Sequence, residues 1–139
     1  MLEFGRLGLG TAPLAGLYEA VDDETAHAVV ERAWELGIRY FDTAPYYGSG
    51  TAECRLGAVL CERPREEFVL STKVGRLLHP GESDWRDAPS LQSYFDFSYD
   101  AAMRSLEESL ERLGLDRVDI ALIHDPDNHY DEALAGAYP

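Results

Sequence analysis

Residues 40–50, YFDTAPYYGSG, end a short apolar run in a carboxylate, Asp42, and place a phenol, Tyr47, five residues later, ahead of a glycine-rich turn. Two more groups close apolar runs downstream: the amine of Lys73 after FVLST and the imidazole of His124 after DIALI. A phenol is a poor acid at neutral pH, but a nearby ammonium favours the phenolate and lowers its pKa. A carboxylate holds that ammonium in place, and an imidazole beside the phenol can hydrogen-bond a carbonyl oxygen and orient it. Lys73 is the single lysine among 12 basic residues, the other 11 being arginine. An ammonium is compact and its pKa can be shifted, whereas a guanidinium stays charged. Each group also has a plainer reading: Asp42 as a turn cap, Tyr47 as a packing aromatic, Lys73 as a solvated strand end, His124 as a satisfied histidine.

To act together the four must share one mouth, and parallel α/β folds provide it because side chains at strand C-termini point into a common opening. A first strand is expected over 6–9, ending in LGLGT, where Gly8 and Gly10 permit close approach of backbone or ligand. Asp22 or Asp23 caps a helix to about Leu36, with Ala26, Val29, Val30 and Ala33 on its apolar face and Gly37 as its stop. A second strand over 38–41 runs into the key stretch, a second helix spans 51–60, and a third strand over 68–72 delivers Lys73. Residues 74–97 break the rhythm with two prolines and the aromatics Trp85, Tyr94, Phe95 and Phe97. Structureless runs of that length are uncommon in compact domains and often functional, so this one reads as a wall or lid over the mouth. The plainer reading is a mobile surface loop. Ser98 caps a third helix whose Met103, Leu106, Leu110 and Leu113 form a stripe ending at Gly114. A fourth strand over 118–123 delivers His124, and DEALAGAYP reads as the opening of a fourth helix. With right-handed crossovers this is α/β architecture, about four βα units. It corresponds to the N-terminal half of a (β/α)8 TIM barrel, a fold of about 250 residues. Residues 1–139 form a single partial domain in this reading.

With 45% hydrophobic and 11% aromatic residues in 139, the chain can bury one core. Twelve basic against 26 acidic residues, net −14, disfavour nucleic acid and anionic membrane as partners. No apolar run approaches the roughly 18 residues of a membrane helix, and MLEFGRLG lacks a signal-peptide layout, so a cytoplasmic location is expected. Cys54 and Cys61 fall on the second helix about 10 Å apart by helical rise, too far for a disulfide, and read as reduced, half-buried thiols. His27 reads as ordinary surface, and Glu53 as a group that holds the loop and the second helix rather than one that does chemistry.

FDTAPYYG, STKV and LIHDPD, in this order and spacing, resemble the acid-and-tyrosine, lysine and histidine motifs of the aldo-keto reductases, and the resemblance runs from about Gly8 to the last residue. Carried over by position, it implies Asp42, Tyr47, Lys73 and His124 as a catalytic tetrad. It also implies a nicotinamide cofactor, NADP(H) with NAD as the alternative, near Gly10, Thr11 and Asp42, and a small carbonyl or sugar substrate. In the implied mechanism hydride passes between nicotinamide and substrate carbon while Tyr47 gives or takes the proton. Lys73 lowers the Tyr47 pKa, Asp42 anchors Lys73, and His124 orients the substrate. LGLGTAP, STKVGRLL and HDPD look similar to the branch that oxidises aldoses at carbon one, the aldose 1-dehydrogenase or fucose dehydrogenase group. In that family the second half of the barrel stacks on the nicotinamide and clamps the adenosine phosphate. This sequence holds none of strands five to eight, and a half barrel exposes two sheet edges and an apolar inner face, so self-association or a complementing half-barrel is expected.

Two other classes of function are set against this one. A metal-dependent hydrolase or isomerase on the same barrel would use Asp42, His124, Asp125, Asp127 and His129 as ligands. It lacks a paired-histidine first strand and leaves Tyr47 and Lys73 idle, whereas the reductase reading expects no metal. A non-catalytic binding or regulatory module would explain the incomplete cofactor half but has no need of the phenol and ammonium pair.

Overall fold

The computed structural model of the chain describes residues 5–137. In chain order it contains β1 (Leu9–Gly10), α1 (Asp23–Glu35), β2 (Tyr40–Asp42), α2 (Thr51–Leu60), β3 (Val69–Val74), β4 (Arg76–Pro80), β5 (Leu91–Phe95), α3 (Tyr99–Leu113), β6 (Ile120–Ile123) and α4 (Tyr130–Ala137). Residues 1–4, where the leaderless start is read, and Tyr138 and Pro139 of the expected fourth helix lie outside the described residues.

Strands β1, β2, β3 and β6 form one sheet in that order, and every pairing is parallel. Gly10 lies opposite Asp42, Asp42 opposite Ser71, and Lys73 opposite Leu122. The strands sit further along the chain than the sequence suggests. β1 pairs only at Leu9–Gly10 instead of 6–9, β2 runs to Asp42, β3 runs to Val74, and β6 begins at Ile120. Backbone hydrogen bonds from Thr11 N to Asp42 O and from Thr43 N to Ser71 O, both 3.0 Å, hold the strand ends in register. Asp42 and Lys73 are therefore inside the sheet, where the backbone fixes them more firmly than a loop does.

Alternation along the strands divides their side chains between two faces. Phe41 and Leu70, both fully buried, enter the core with Val30, Ala33, Leu56, Leu60 and Leu113 of the helices. Tyr40, Asp42, Ser71 and Lys73 take the opposite face. Asp22 caps α1, its side chain accepting from Thr25 N at 2.7 Å, and Ser98 caps α3 by accepting from Ala101 N at 3.3 Å. Two expected stripe members are displaced: Val29 is 38% and Met103 39% exposed. The buried side of α3 is instead Ala101, Ser105, Ser109 and Leu113, and such small side chains let it lie close. Where α2 meets the end of α3, a Cβ on Gly57 would fall 2.2 Å from Leu113 O, so only glycine permits the approach.

Residues 74–97 are not structureless. β4 and β5 pair antiparallel as a two-stranded sheet, with Leu77 opposite Tyr94 and His79 opposite Gln92. A long connection over 81–90 gives none of the short turn signals that announce a hairpin, and consecutive Leu77 and Leu78 obscure the alternation. Cys54 and Cys61 are both exposed free thiols rather than half-buried ones, because they lie on the outer side of α2 and at its end. Among the described residues no helix is long and apolar enough to cross a membrane.

Candidate active site

Neighbouring strands bring Asp42 and Lys73 into contact. Lys73 Nζ donates to Asp42 Oδ2 at 2.8 Å and to Thr43 O at 3.0 Å. The other carboxylate oxygen, Oδ1, accepts from Ser71 Oγ at 2.6 Å, and the Tyr40 hydroxyl lies 3.1 Å from that same Oγ. Asp42 is thus fixed at both oxygens. The ammonium sits 4.8 Å from the centroid of the Tyr47 ring. Burial, the largest single influence on Lys73, pushes its pKa down, but hydrogen bonds and charge from Asp42 and Tyr47 together outweigh it and raise the pKa above the ordinary lysine value. Lys73 is therefore an ammonium at neutral pH.

Tyr47 stands in the loop between β2 and α2. Gly48 follows it with φ +62°, and a Cβ there would lie 2.6 Å from Ala15 Cβ in the 3-10 turn Ala12–Ala15. The loop can press against that turn only with glycine in this left-handed conformation, and the contact sets Tyr47 at the mouth.

His124 follows β6 directly, its N–H donating to Val74 O at 2.9 Å. The imidazole is 4% exposed and stands edge-on to Tyr47 and Tyr46, with centroids 5.8 and 6.0 Å away. Nδ1 is buried and has no hydrogen-bond partner among the described residues, and Nε2 is 3.6 Å from Asp125 Oδ2, beyond hydrogen-bond range. Burial pushes its pKa down to about 4, opposed by Asp125 and Asp42 and reinforced by Arg76 and Lys73. At neutral pH the ring is uncharged.

All four residues of the expected tetrad come together at one end of the sheet, joined by Arg76, to which the sequence assigns no role, by Trp85 of the expected wall, and by Asp125, which the sequence offers only as a metal ligand. Trp85, from the 81–90 connection, packs at 5.4 Å from Tyr46 and 6.4 Å from Tyr47, so the hairpin covers the mouth as a wall. The Arg76 guanidinium lies 3.3 Å from the Tyr46 ring centroid and donates from NH1 to Asp125 Oδ2 at 3.2 Å. A cavity of about 330 Å³ opens beside Tyr46 and Trp85, with Tyr18, Glu19, Asp84 and Arg86 on its walls. The available sequence signal for Arg76 was its place just past Lys73 and Gly75; for Asp125 it was its position directly after His124.

Gly10 stands beside Asp42 across the β1–β2 pair. A Cβ on Gly10 would meet nothing within 4 Å among the described residues, so these leave open space at the strand end. Thr11 is buried and donates from Oγ1 to Asp42 O at 3.0 Å, which fixes the end of β1 against β2. Among the described residues no three His, Cys, Asp or Glu side chains approach closely enough to hold a metal ion, so the ligand set of the hydrolase alternative is not assembled.

The sequence pattern of the Aldo/keto reductase family matches residues 6–137. The chain belongs to the aldo/keto reductase family. This aldo/keto reductase chain is 47% identical over 144 residues to D-threo-aldose 1-dehydrogenase of a Pseudomonas species, a match covering 96% of this chain and 44% of that protein. It is 45% identical over 134 residues to pyridoxal 4-dehydrogenase of Microbacterium luteolum, covering 86% and 39% respectively. The solved structure of an aldo-keto reductase from Bacillus halodurans, in its holo form, superposes with a TM-score of 0.74 at 28% identity, over 97% of this chain and 41% of that one. The fold is thus the N-terminal half of the family's TIM barrel, and the chain spans less than half the length of these relatives.

Proposed function

We propose that this chain carries the proton-transfer half of a nicotinamide-dependent oxidoreductase acting on a small carbonyl or on carbon one of a sugar. The observation that carries the reading is the ammonium of Lys73 held 2.8 Å from Asp42 Oδ2 and 4.8 Å from the Tyr47 ring centroid. Tyr47 donates a proton to the substrate oxygen in reduction and removes one in oxidation. Lys73, kept charged by Asp42, favours the phenolate. Neutral His124 orients the substrate oxygen by hydrogen bonding without adding charge to the mouth. The open space beside Gly10 fits the reacting end of a nicotinamide, and Gly10, Thr11 and Asp42 are the residues assigned to hold it. When bound, that group supplies or accepts the hydride. NADP(H) is the proposed form and NAD its alternative. An aldose is the proposed substrate, supported by the 47% identity to an aldose 1-dehydrogenase and by the polar and aromatic walls of the adjoining cavity. Further strands of the same fold, from a second copy or a complementing half-barrel, are proposed to cover Leu122 and Ile123, which β6 leaves 41% and 36% exposed.

The test is titration of the chain with NADPH and with NADH, followed by tryptophan fluorescence, alongside turnover of an aldose and of a simple aldehyde by the wild type and by Tyr47→Phe. Saturable binding with turnover that Tyr47→Phe abolishes supports the reading. A folded chain that binds neither nucleotide, even when supplied with the complementary half of a relative, overturns it in favour of a non-catalytic module.

A further inference from the structure

Asp125 Oδ2 faces two partners at once: Arg76 NH1 at 3.2 Å and His124 Nε2 at 3.6 Å. The first is a charge-assisted hydrogen bond and the second falls just short of one. We propose that Arg76 is a positioning residue that holds the Asp125 carboxylate off His124, leaving Nε2 uncommitted for a substrate oxygen. This rests on the reading of His124 as the group that orients substrate.

The two sides of the contact differ in freedom. Arg76 is anchored: its guanidinium stacks at 3.3 Å on Tyr46 and 5.0 Å from Phe95, its Nε donates to Ser93 Oγ at 3.2 Å, and its side chain is 14% exposed. Asp125 is half exposed, on a residue with φ +46° that leads into the 3-10 turn Pro126–His129. The carboxylate therefore follows the guanidinium rather than the reverse. Without Arg76, a shift of well under 1 Å brings Oδ2 into hydrogen-bond range of Nε2. A carboxylate bonded there would favour the imidazolium and occupy the nitrogen.

The charged and titratable groups around the ring are Asp125 beside it, Arg76 from β4, Lys73 from β3, Asp42 from β2, and Tyr46 and Tyr47 from the loop after β2. Asp125 and Asp42 favour the charged ring; Arg76 and Lys73 oppose it. Removing Arg76 therefore has two separable effects, loss of direct repulsion and release of Asp125, and a double substitution distinguishes them.

The experiment is an NMR titration of the His124 ring in the 139-residue chain, comparing wild type, Arg76→Met, Asp125→Asn and the double variant, with backbone amide dispersion as the check on folding. Arg76→Met is expected to raise the His124 midpoint by about one pH unit or more in the wild-type background and by much less when made in Asp125→Asn, each rise measured against its own parent. A midpoint that Arg76→Met leaves unmoved, or a rise as large from Asp125→Asn to the double variant as from wild type to Arg76→Met, overturns the proposal. Arg76→Gln replaces Arg76→Met if the latter does not fold. The titration needs no turnover, so its outcome is independent of whether the chain proves to be an active oxidoreductase.

Discussion

Arg112 on α3 donates from Nε to Glu53 Oε2 on α2 across 2.6 Å, and the Glu53 side chain has no solvent exposure. The remaining oxygen accepts from Thr72 Oγ1 of β3 at 2.7 Å. One carboxylate therefore joins two helices to the strand that carries Lys73. Removing one member of a buried pair leaves the other charge unmatched and costs about 3–5 kcal/mol. Glu53→Ala is expected to lower the unfolding free energy by that order in urea denaturation. Adding Arg112→Met should recover part of the loss, and additive losses in the double variant would show that the two side chains are not coupled.

Much of this was legible in the sequence because local chemistry and global fold agree. Asp22 and Ser98 are good caps placed ahead of periodic apolar residues, and the runs before Asp42, Lys73 and His124 have the length and apolar content of strands. Glu53 reads as a group that holds the loop and the second helix, but the partners that it holds are Arg112 of α3 and Thr72 of β3, which only the tertiary fold brings to it. Less was legible where long-range pairing decides. The β4–β5 hairpin has no compact turn, strand limits depend on which neighbour offers hydrogen bonds, and the roles of Arg76 and Asp125 exist only because residues 49 apart meet.

The Lys73 and Asp42 pair makes a prediction at alkaline pH. A folded-state pKa raised above the unfolded value contributes stability fully present below the ordinary lysine value of 10.5, and that stability is lost as pH rises through the folded value. The difference in Tm between the wild type and Asp42→Asn is expected to hold steady up to about pH 10 and to shrink above it. A difference that persists unchanged well beyond the lysine range would mean that Asp42 stabilises the fold through Ser71 alone.

His124 has the opposite sign. Its folded pKa is depressed to about 4 from 6.5, so the unfolded chain binds the extra proton first as the solution is acidified. Stability is therefore complete above about pH 6.5 and declines as pH falls towards 4. Replacing His124 with Gln is expected to flatten that part of the stability profile, measured by denaturation at a series of pH values. The same slope in His124→Gln would assign the acid sensitivity to the carboxylates instead.

Trp85 is the hairpin residue most exposed to test, because the two tryptophans report on different parts of the fold. Trp34 is partly buried and packs against the core, its ring 6.5 Å from Phe41 and 3.7 Å beneath the Arg39 guanidinium. Trp85 stands at the mouth against Tyr46 and Tyr47. If the hairpin is the wall of a substrate site, sugar binding quenches Trp85 and leaves Trp34 unchanged, so Trp85→Phe removes the ligand-dependent signal while the unfolding signal of Trp34 remains. Truncation to alanine also removes apolar wall area, about 2 kcal/mol of binding, and is expected to raise KM by roughly ten- to thirtyfold with a smaller effect on kcat. A sugar-dependent quench that survives Trp85→Phe would place the substrate away from the hairpin. A fall in kcat with KM unchanged would mean that Trp85 acts by positioning Tyr47, which it touches, and not by contacting the substrate.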